Sequence, residues 1–240
     1  ETPTWNVVIV TTGIARRWFQ DDLIGTRDTV VVDEIHQTSA ELELCLALGK
    51  RAGVRFIWLS ATVDPSFYAK YLGSDNVLVT EAFDPALRAR VKVEAKQAEE
   101  FFDERFMRHL LQQKRGVAVF VPTRREVEQL AADLGARYPR LKWPKLNAAF
   151  YHGGEPIRVI RNFLEGDPQK PFLLAMTAAG QSAINVRGLD TVVIYDARYG
   201  NVVERGRNVL HRLYLGANEI LQMAGRVHGR VAKGEVYILS

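Results

Sequence analysis

The feature that most limits the fold is a set of apolar runs that do not alternate with polar residues. Residues 5–10 (WNVVIV), 29–33 (TVVVD), 55–60 (RFIWLS), 116–121 (GVAVFV), 171–176 (PFLLAM), 191–196 (TVVIYD) and 235–239 (EVYIL) are mostly continuous. A strand with one wet face alternates apolar and polar side chains. A strand covered on both faces is apolar throughout, as in parallel sheets flanked by helices. Segments with helical spacing lie between the runs. Residues 39–52 place Leu42, Cys45, Leu46 and Leu48 on one side behind Ser39 as N-cap, and 103–113 and 124–138 follow the same rule. Strand and helix alternate along the chain, so the expected class is α/β, with parallel strands joined by helical crossovers.

The 240 residues suit one large or two small domains. Residues 80–100 are polar, carry Pro85 and begin a new charge pattern, so 83–92 is expected to connect two α/β units. A single cysteine, Cys45, excludes an internal disulfide. No stretch approaches the length of a membrane-spanning helix, and the first residues lack the basic start of a signal peptide; a cytoplasmic protein is the default expectation. A net charge of +4 suits a nucleic-acid partner without requiring one.

The run VVVDEIHQ (30–37) drives an apolar strand into Asp33 and Glu34, with His36 just beyond. In open α/β sheets ligands gather beyond the carboxyl ends of strands. There one carboxylate can bind Mg²⁺ through water while its neighbour polarises an attacking water. A lone acidic pair is more often a solvated strand end. After one helix, however, a second apolar strand ends in LSAT, with Ser60 and Thr62 at the neighbouring carboxyl end, where their hydroxyls can hydrogen-bond the acidic loop. The combined spacing is far more specific than either piece.

This arrangement resembles the DExH/DEAH branch of superfamily 2 helicases, whose motif II reads D-E-x-H and motif III S-A-T. The resemblance continues in order. TTGIARR (11–17) is similar to motif Ib, FVPTRREVEQLA (120–131) to motif IV, FYHGG (150–154) to the loop after the next strand, MTAAGQSAINVRGLD (176–190) to motif V and QMAGRVHGR (222–230) to motif VI. It implies tandem RecA-like parallel-sheet domains, the first incomplete: 1–82 with motifs Ib, II and III, the connector 83–92, and 93–240 with motifs IV, V and VI. It also implies an ATP-dependent helicase or translocase working with ATP and Mg²⁺ on single-stranded RNA or DNA. Asp33 would be the Mg²⁺-associated carboxylate and Glu34 the base that positions water. His36 would couple the site to Gln222, with Ser60 and Thr62 in the same relay. Arg226 and Arg230 would reach the γ-phosphate, a role suited to a permanently charged, forked donor. Thr11, Gly13, Arg17, Thr123 and Thr177 would hold the nucleic-acid backbone without reading bases. VVERGRNVL (202–210) reads as a hairpin around a glycine turn, and similar helicases carry one near the strand junction, so 204–208 is a candidate wedge.

Three departures stand out. The phosphate-binding pattern G-x-x-x-x-G-K-[ST] does not occur in these residues. The first domain is therefore expected to be represented by its second half, with the chain alone inactive as an ATPase. The rival reading is a non-catalytic nucleic-acid-binding or scaffold protein that has lost that loop. Arg226 and Arg230 are four apart, one more than the family spacing, and a continued helix would keep both on one face. Gln181 and Asn185 stand where the family commonly has glutamate and threonine, and Met223 where many members have arginine.

Overall fold

The computed structural model divides into two units, Glu1–Val77 and Leu78–Ser240. It describes residues 6–60, 65–74, 76–78, 84–138, 146–152, 154–177 and 185–240. Thr62, Gln181, Trp5 and Gly153 lie outside the described residues.

The first unit comprises α1 (Thr12–Gln20), β1 (Thr29–Val32), α2 (Ala40–Ala52), β2 (Arg55–Trp58) and α3 (Pro65–Leu72). The two strands are parallel, in register from Thr29↔Arg55 to Val32↔Trp58. Val32, Phe56 and Trp58 pack with Ile35, Leu42, Leu46, Tyr68 and Tyr71. Ser39 caps α2 by accepting the Leu42 amide, as its position in the sequence predicts. Gly49 lets the helix lie close on β2, since a Cβ there would come 2.4 Å from Phe56 Cζ. The expected strand over 5–10 is corrected: residues 6–10 form no strand, and Val7 and Ile9 are 82% and 95% exposed. β-branched residues favour extended backbone, but a strand also needs a neighbouring ladder to pair with.

The second unit comprises β3 (Arg90–Glu94), α4 (Ala98–Phe101), α5 (Glu104–Gln112), β4 (Gly116–Val121), α6 (Arg124–Arg137), β5 (Asn147–Tyr151), α7 (Arg161–Leu164), β6 (Phe172–Thr177), β7 (Thr191–Tyr195), β8 (Arg198–Glu204), β9 (Arg207–Leu213), α8 (Ala217–Ala224) and β10 (Glu235–Leu239). Six of these strands form one sheet, in the order β3-β10-β7-β4-β6-β5, and every pairing in it is parallel.

Alternate residues of the central strands enter opposite cores. Ala118, Phe120, Leu174, Met176, Val192, Ile194 and Val236 pack with Ile160, Phe163, Met223 and Val227 on one face. Val117, Val119, Val121, Leu173, Ala175 and Val193 pack with Phe102, Met107, Leu110, Val127 and Leu130 on the other. Covering both faces is what made these runs continuous rather than alternating.

The edge strands β3 and β5 were not legible as apolar runs. β3 (RVKVE) alternates charged with apolar residues, and both of its valines are exposed. Here the connector over 83–92 is corrected. Residues 84–94 belong to the second unit, Arg90 pairs with Glu235, and the Arg90 amide donates to the Gly234 carbonyl. An edge strand needs backbone pairing more than apolar side chains, so a polar stretch can still join the sheet.

The predicted hairpin is present as β8 and β9, antiparallel from Arg198↔Leu213 to Glu204↔Arg207. Its turn residues Arg205 and Gly206 have φ of 47° and 76°, which fits a two-residue turn of left-handed conformation. At the amino-terminal edge of the sheet, Asp190 and Glu235 are buried and paired with Arg115, Lys170 and His109. Among the described residues no helix is long and apolar enough to cross a membrane.

Candidate functional site

In the first unit, the parallel ladder continues beyond the strand ends. The Leu59 amide donates to Val32 O at 2.9 Å, and the Ile35 amide donates to Leu59 O at 3.1 Å. These bonds lay the acidic loop alongside Ser60. Glu34 has φ of 55°, in the left-handed region that a glutamate seldom occupies. Ile35 turns inward and is 2% exposed. Asp33 is exposed, and its Oδ1 accepts the Glu34 amide at 2.9 Å.

His36 lies at the centre of the loop, with only 4% of its side chain exposed. Its Nε2 is 3.1 Å from Glu34 Oε2, and its Nδ1 is 2.7 Å from Ser60 Oγ. A carboxylate only accepts hydrogen bonds, so in the neutral ring Nε2 carries the proton and Nδ1 accepts the Ser60 hydroxyl. The structure therefore brings Glu34, His36 and Ser60 into one relay, with Asp33 beside it.

Among the described residues no three His, Cys, Asp or Glu side chains gather as a metal cage. Mg²⁺ typically takes one or two carboxylates together with water and phosphate oxygens. The exposed Asp33 carboxylate at a strand's carboxyl end fits that donor set.

The motif Ib residues sit on α1 and its N-cap. Thr11 occupies the N-cap position without a side-chain capping bond, and Arg17 is exposed in the last turn. Glu41 of α2 holds this helix, a role the sequence did not announce. It accepts Thr12 Oγ1 at 3.2 Å and lies 3.4 Å from Arg16 Nε. Its carboxylate occupies the space a Cβ on Gly13 would approach, 3.3 Å away. Burial, and then the Glu41 charge, push the neighbouring Cys45 thiol up.

In the second unit, Val121↔Thr177 register sets the end of β6 beside the end of β4, with Thr123 two residues beyond Val121. Thr177 is 8% exposed. The Thr123 hydroxyl is committed to α6: it accepts the Glu126 amide at 3.2 Å and donates to Glu126 Oε2 at 2.7 Å. The T-x-x-E signature of that cap was readable in the sequence.

Gln222 lies on α8, half-buried. The expectation of a helix carrying both arginines is corrected: α8 ends at Ala224, and Arg226 and Arg230 stand on the turns that follow. Gly225 ends the helix and leaves the following turns to close through Val227, which is fully buried. The Arg226 guanidinium lies 5.9 Å from the Phe120 ring centroid, in cation–π range. Burial, and then the charge of Arg230, lower its pKa. Arg226 is thus half-withdrawn from water beside a second cation, an environment that favours an incoming anion. Arg230 is exposed.

A parallel sheet with helices on both faces, bearing an arginine loop after α8, is the architecture of a RecA-like helicase C-terminal domain. The chain belongs to the helicase conserved C-terminal domain family, which matches residues 102–230. The DExH/DEAH superfamily 2 assignment read from the motifs stands with it.

A protein of Acanthamoeba polyphaga mimivirus whose name reads "Putative ATP-dependent RNA helicase L540" is 24% identical over 97% of this chain and 36% of its own length. The Escherichia coli ATP-dependent RNA helicase HrpA is 24% identical over 75% of the chain and 16% of its own length. The crystal structure of the Escherichia coli DEAH/RHA helicase HrpB matches with a TM-score of 0.77 and 20% identity, over 99% of this chain and 31% of that one. The chain thus spans about a third or less of the length of the relatives it matches.

Proposed function

We propose that this chain is part of an ATP-dependent helicase or translocase acting on single-stranded nucleic acid. The observation that carries the reading is the Glu34–His36–Ser60 relay, in which a carboxylate on a left-handed residue is held by a buried imidazole. A plain strand end needs neither feature.

ATP with Mg²⁺, when bound, supplies the phosphoanhydride bond and a counter-charge for its phosphates. Asp33 would hold the metal through its water shell. Glu34 would accept a hydrogen bond from the attacking water and take its proton as the bond from water to the γ-phosphorus forms and the bond from that phosphorus to the β–γ bridging oxygen breaks, with ADP leaving. His36 donates from Nε2 to Glu34 and fixes its orientation, and Ser60 fixes the ring from the other nitrogen. Arg226 and Arg230 supply positive charge to the departing phosphates. Thr11, Gly13, Arg17 and Thr177 hold the sugar-phosphate backbone. The tip of the β8–β9 hairpin, residues 204–208, serves as the wedge between separating strands in this reading.

RNA is the favoured polymer, because both named curated relatives are RNA helicases. The test is Glu34→Gln in the complete protein. Nucleotide binding should persist while RNA-stimulated ATP turnover falls at least a hundredfold. Turnover near the parent level would sink the assignment and favour a non-catalytic binder.

A further inference from the structure

His228 lies within the lengthened interval of motif VI, and the mechanism above gives it no part. It lies between Arg226 and Arg230, on a loop anchored from two sides. The inner anchor is Val227, fully buried, whose carbonyl accepts the Arg230 amide at 3.2 Å and the Val231 amide at 3.1 Å. The outer anchor is the segment 84–90, by which the chain enters the second unit.

That segment is bonded to the loop repeatedly. The Asp84 amide donates to Gly229 O at 2.9 Å, and the Gly229 amide donates back to Leu87 O at 2.9 Å. The Ala89 amide donates to His228 Nδ1 at 3.1 Å. Asp84 Oδ1 also accepts the Ala86 amide at 2.9 Å and caps the short turn Pro85–Leu87. Beyond Ala89 the chain passes directly into β3. The incoming segment and the arginine loop are therefore one bonded piece, and His228 supplies its side-chain bond.

We propose that His228 is a positioning residue: its imidazole latches the incoming segment 84–90 to the motif VI loop and sets where Arg226 and Arg230 stand. The use of this latch in ATP turnover rests on the helicase reading; the latch itself does not. Only an unprotonated Nδ1 can accept the Ala89 amide, so the ring holds its proton on Nε2. Without that acceptor, the outer side of the loop loses its side-chain bond to Ala89, while the backbone bonds through Gly229 remain. An arginine side chain is long, so a small turn of its backbone moves the guanidinium by an ångström or more. Misplacement on that scale costs a reaction about 10²-fold.

The test uses the complete protein with His228→Ala and His228→Asn. An asparagine Oδ1 can accept where Nδ1 does, so it should restore the latch. Amide exchange in the peptide containing Ala89 should run roughly fivefold faster in His228→Ala and return to the parent rate in His228→Asn. ATP turnover should show kcat lowered about tenfold or more with KM for ATP within about twofold, again restored by asparagine. If His228→Ala does not fold, His228→Phe keeps the ring volume and removes the acceptor.

Parent-like exchange at Ala89 in both acceptor-less variants overturns the latch. Faster exchange with parent kcat overturns its positioning role. Arg226→Ala serves as the control for the helicase reading. If that variant and Glu34→Gln both keep full turnover, the helicase reading fails, while exchange at Ala89 still decides the latch.

Discussion

Replacing Asp190 with alanine removes the central acceptor at the amino-terminal edge of the six-stranded sheet. Its carboxylate takes the Gly116 amide at 3.3 Å, the Thr191 hydroxyl at 2.9 Å and the Lys170 ammonium at 2.7 Å, with Arg115 Nη1 at 3.5 Å. Asp190 is only 7% exposed, so water does not readily take over these bonds. Removing one partner of a buried ion pair costs about 3–5 kcal/mol. The Lys170 side chain keeps 34% exposure and can turn outward, so the lower end applies, about 3 kcal/mol. With a urea m-value of about 2 kcal/mol per molar, the unfolding midpoint of this unit falls by about 1.5 M. The assay is equilibrium urea unfolding followed by far-UV circular dichroism, fitted with a separate transition for each unit. Raising the salt to about 1 M should leave most of the difference, because buried pairs are weakly screened. In a Lys170→Met background the same substitution should cost at least about 1 kcal/mol less, since Arg115, which keeps Glu235, is then the cation left beside the lost carboxylate. A midpoint shift under about 0.3 M, or equal costs in both backgrounds, would refute the reasoning.

Three further outcomes are expected. Burial, and then the Glu235 carboxylate that accepts its hydroxyl at 3.1 Å, push the Tyr237 phenol up to about 12. The folded state therefore holds this proton more tightly than the unfolded chain, whose phenol titrates near 10. That contribution to stability is complete below pH ~10 and is lost as the pH rises through about 12, so Tyr237→Phe should flatten the alkaline fall in urea midpoint. Thr123→Ala should cost about 1 kcal/mol through loss of the α6 cap and lower the melting temperature by a few degrees, with Thr123→Ser restoring it. Arg17→Ala should weaken single-stranded RNA binding and reduce the log–log salt slope by about 1 in anisotropy titrations; an unchanged slope would remove Arg17 from the backbone contacts.

The central strands were legible because burial on both faces leaves a strong trace: β4 and β6 are buried from end to end, and only Thr177 at the end of β6 is polar. The edge strands left none. β5 (NAAFY) opens with two exposed residues and is buried only in part, and β3 reads like a linker because its partner β10 supplies the pairing. The run at 5–10 failed in the opposite direction, its valines and isoleucine being extended in composition but unpaired in the sheet. The site divides along similar lines. Asp33, Glu34, His36 and Ser60 could be proposed as a group because their spacing is itself the signal. Glu41 and His228 were missed because their roles depend on contacts with residues distant in sequence, Thr12 and Ala89, which no local pattern encodes. The arginine spacing misled for a physical reason: a four-residue interval suits a helix, yet α8 stops at Ala224 and the chain continues in turns, with Gly229 at a φ of 74°.

The acidic loop shows how a strand end becomes a site. Were β1 simply continued, successive side chains would alternate, leaving Glu34 and His36 on one face and Asp33 and Ile35 on the other. The left-handed turn at Glu34 breaks that alternation: Ile35 enters the core, and His36 folds back between Glu34 and Ser60. For a residue with a Cβ this conformation costs about 1–2 kcal/mol, and glycine avoids nearly all of it. A glutamate therefore sits where backbone energetics alone favour glycine. Its contact with His36 returns part of that cost, but the carboxylate is still 43% exposed, so the return is modest. What the strained position supplies is the carboxylate itself, held at the strand's carboxyl edge and 43% exposed to solvent. Strain of this kind persists where the surrounding structure over-determines it, and here the buried isoleucine and the bonded imidazole do so from both sides.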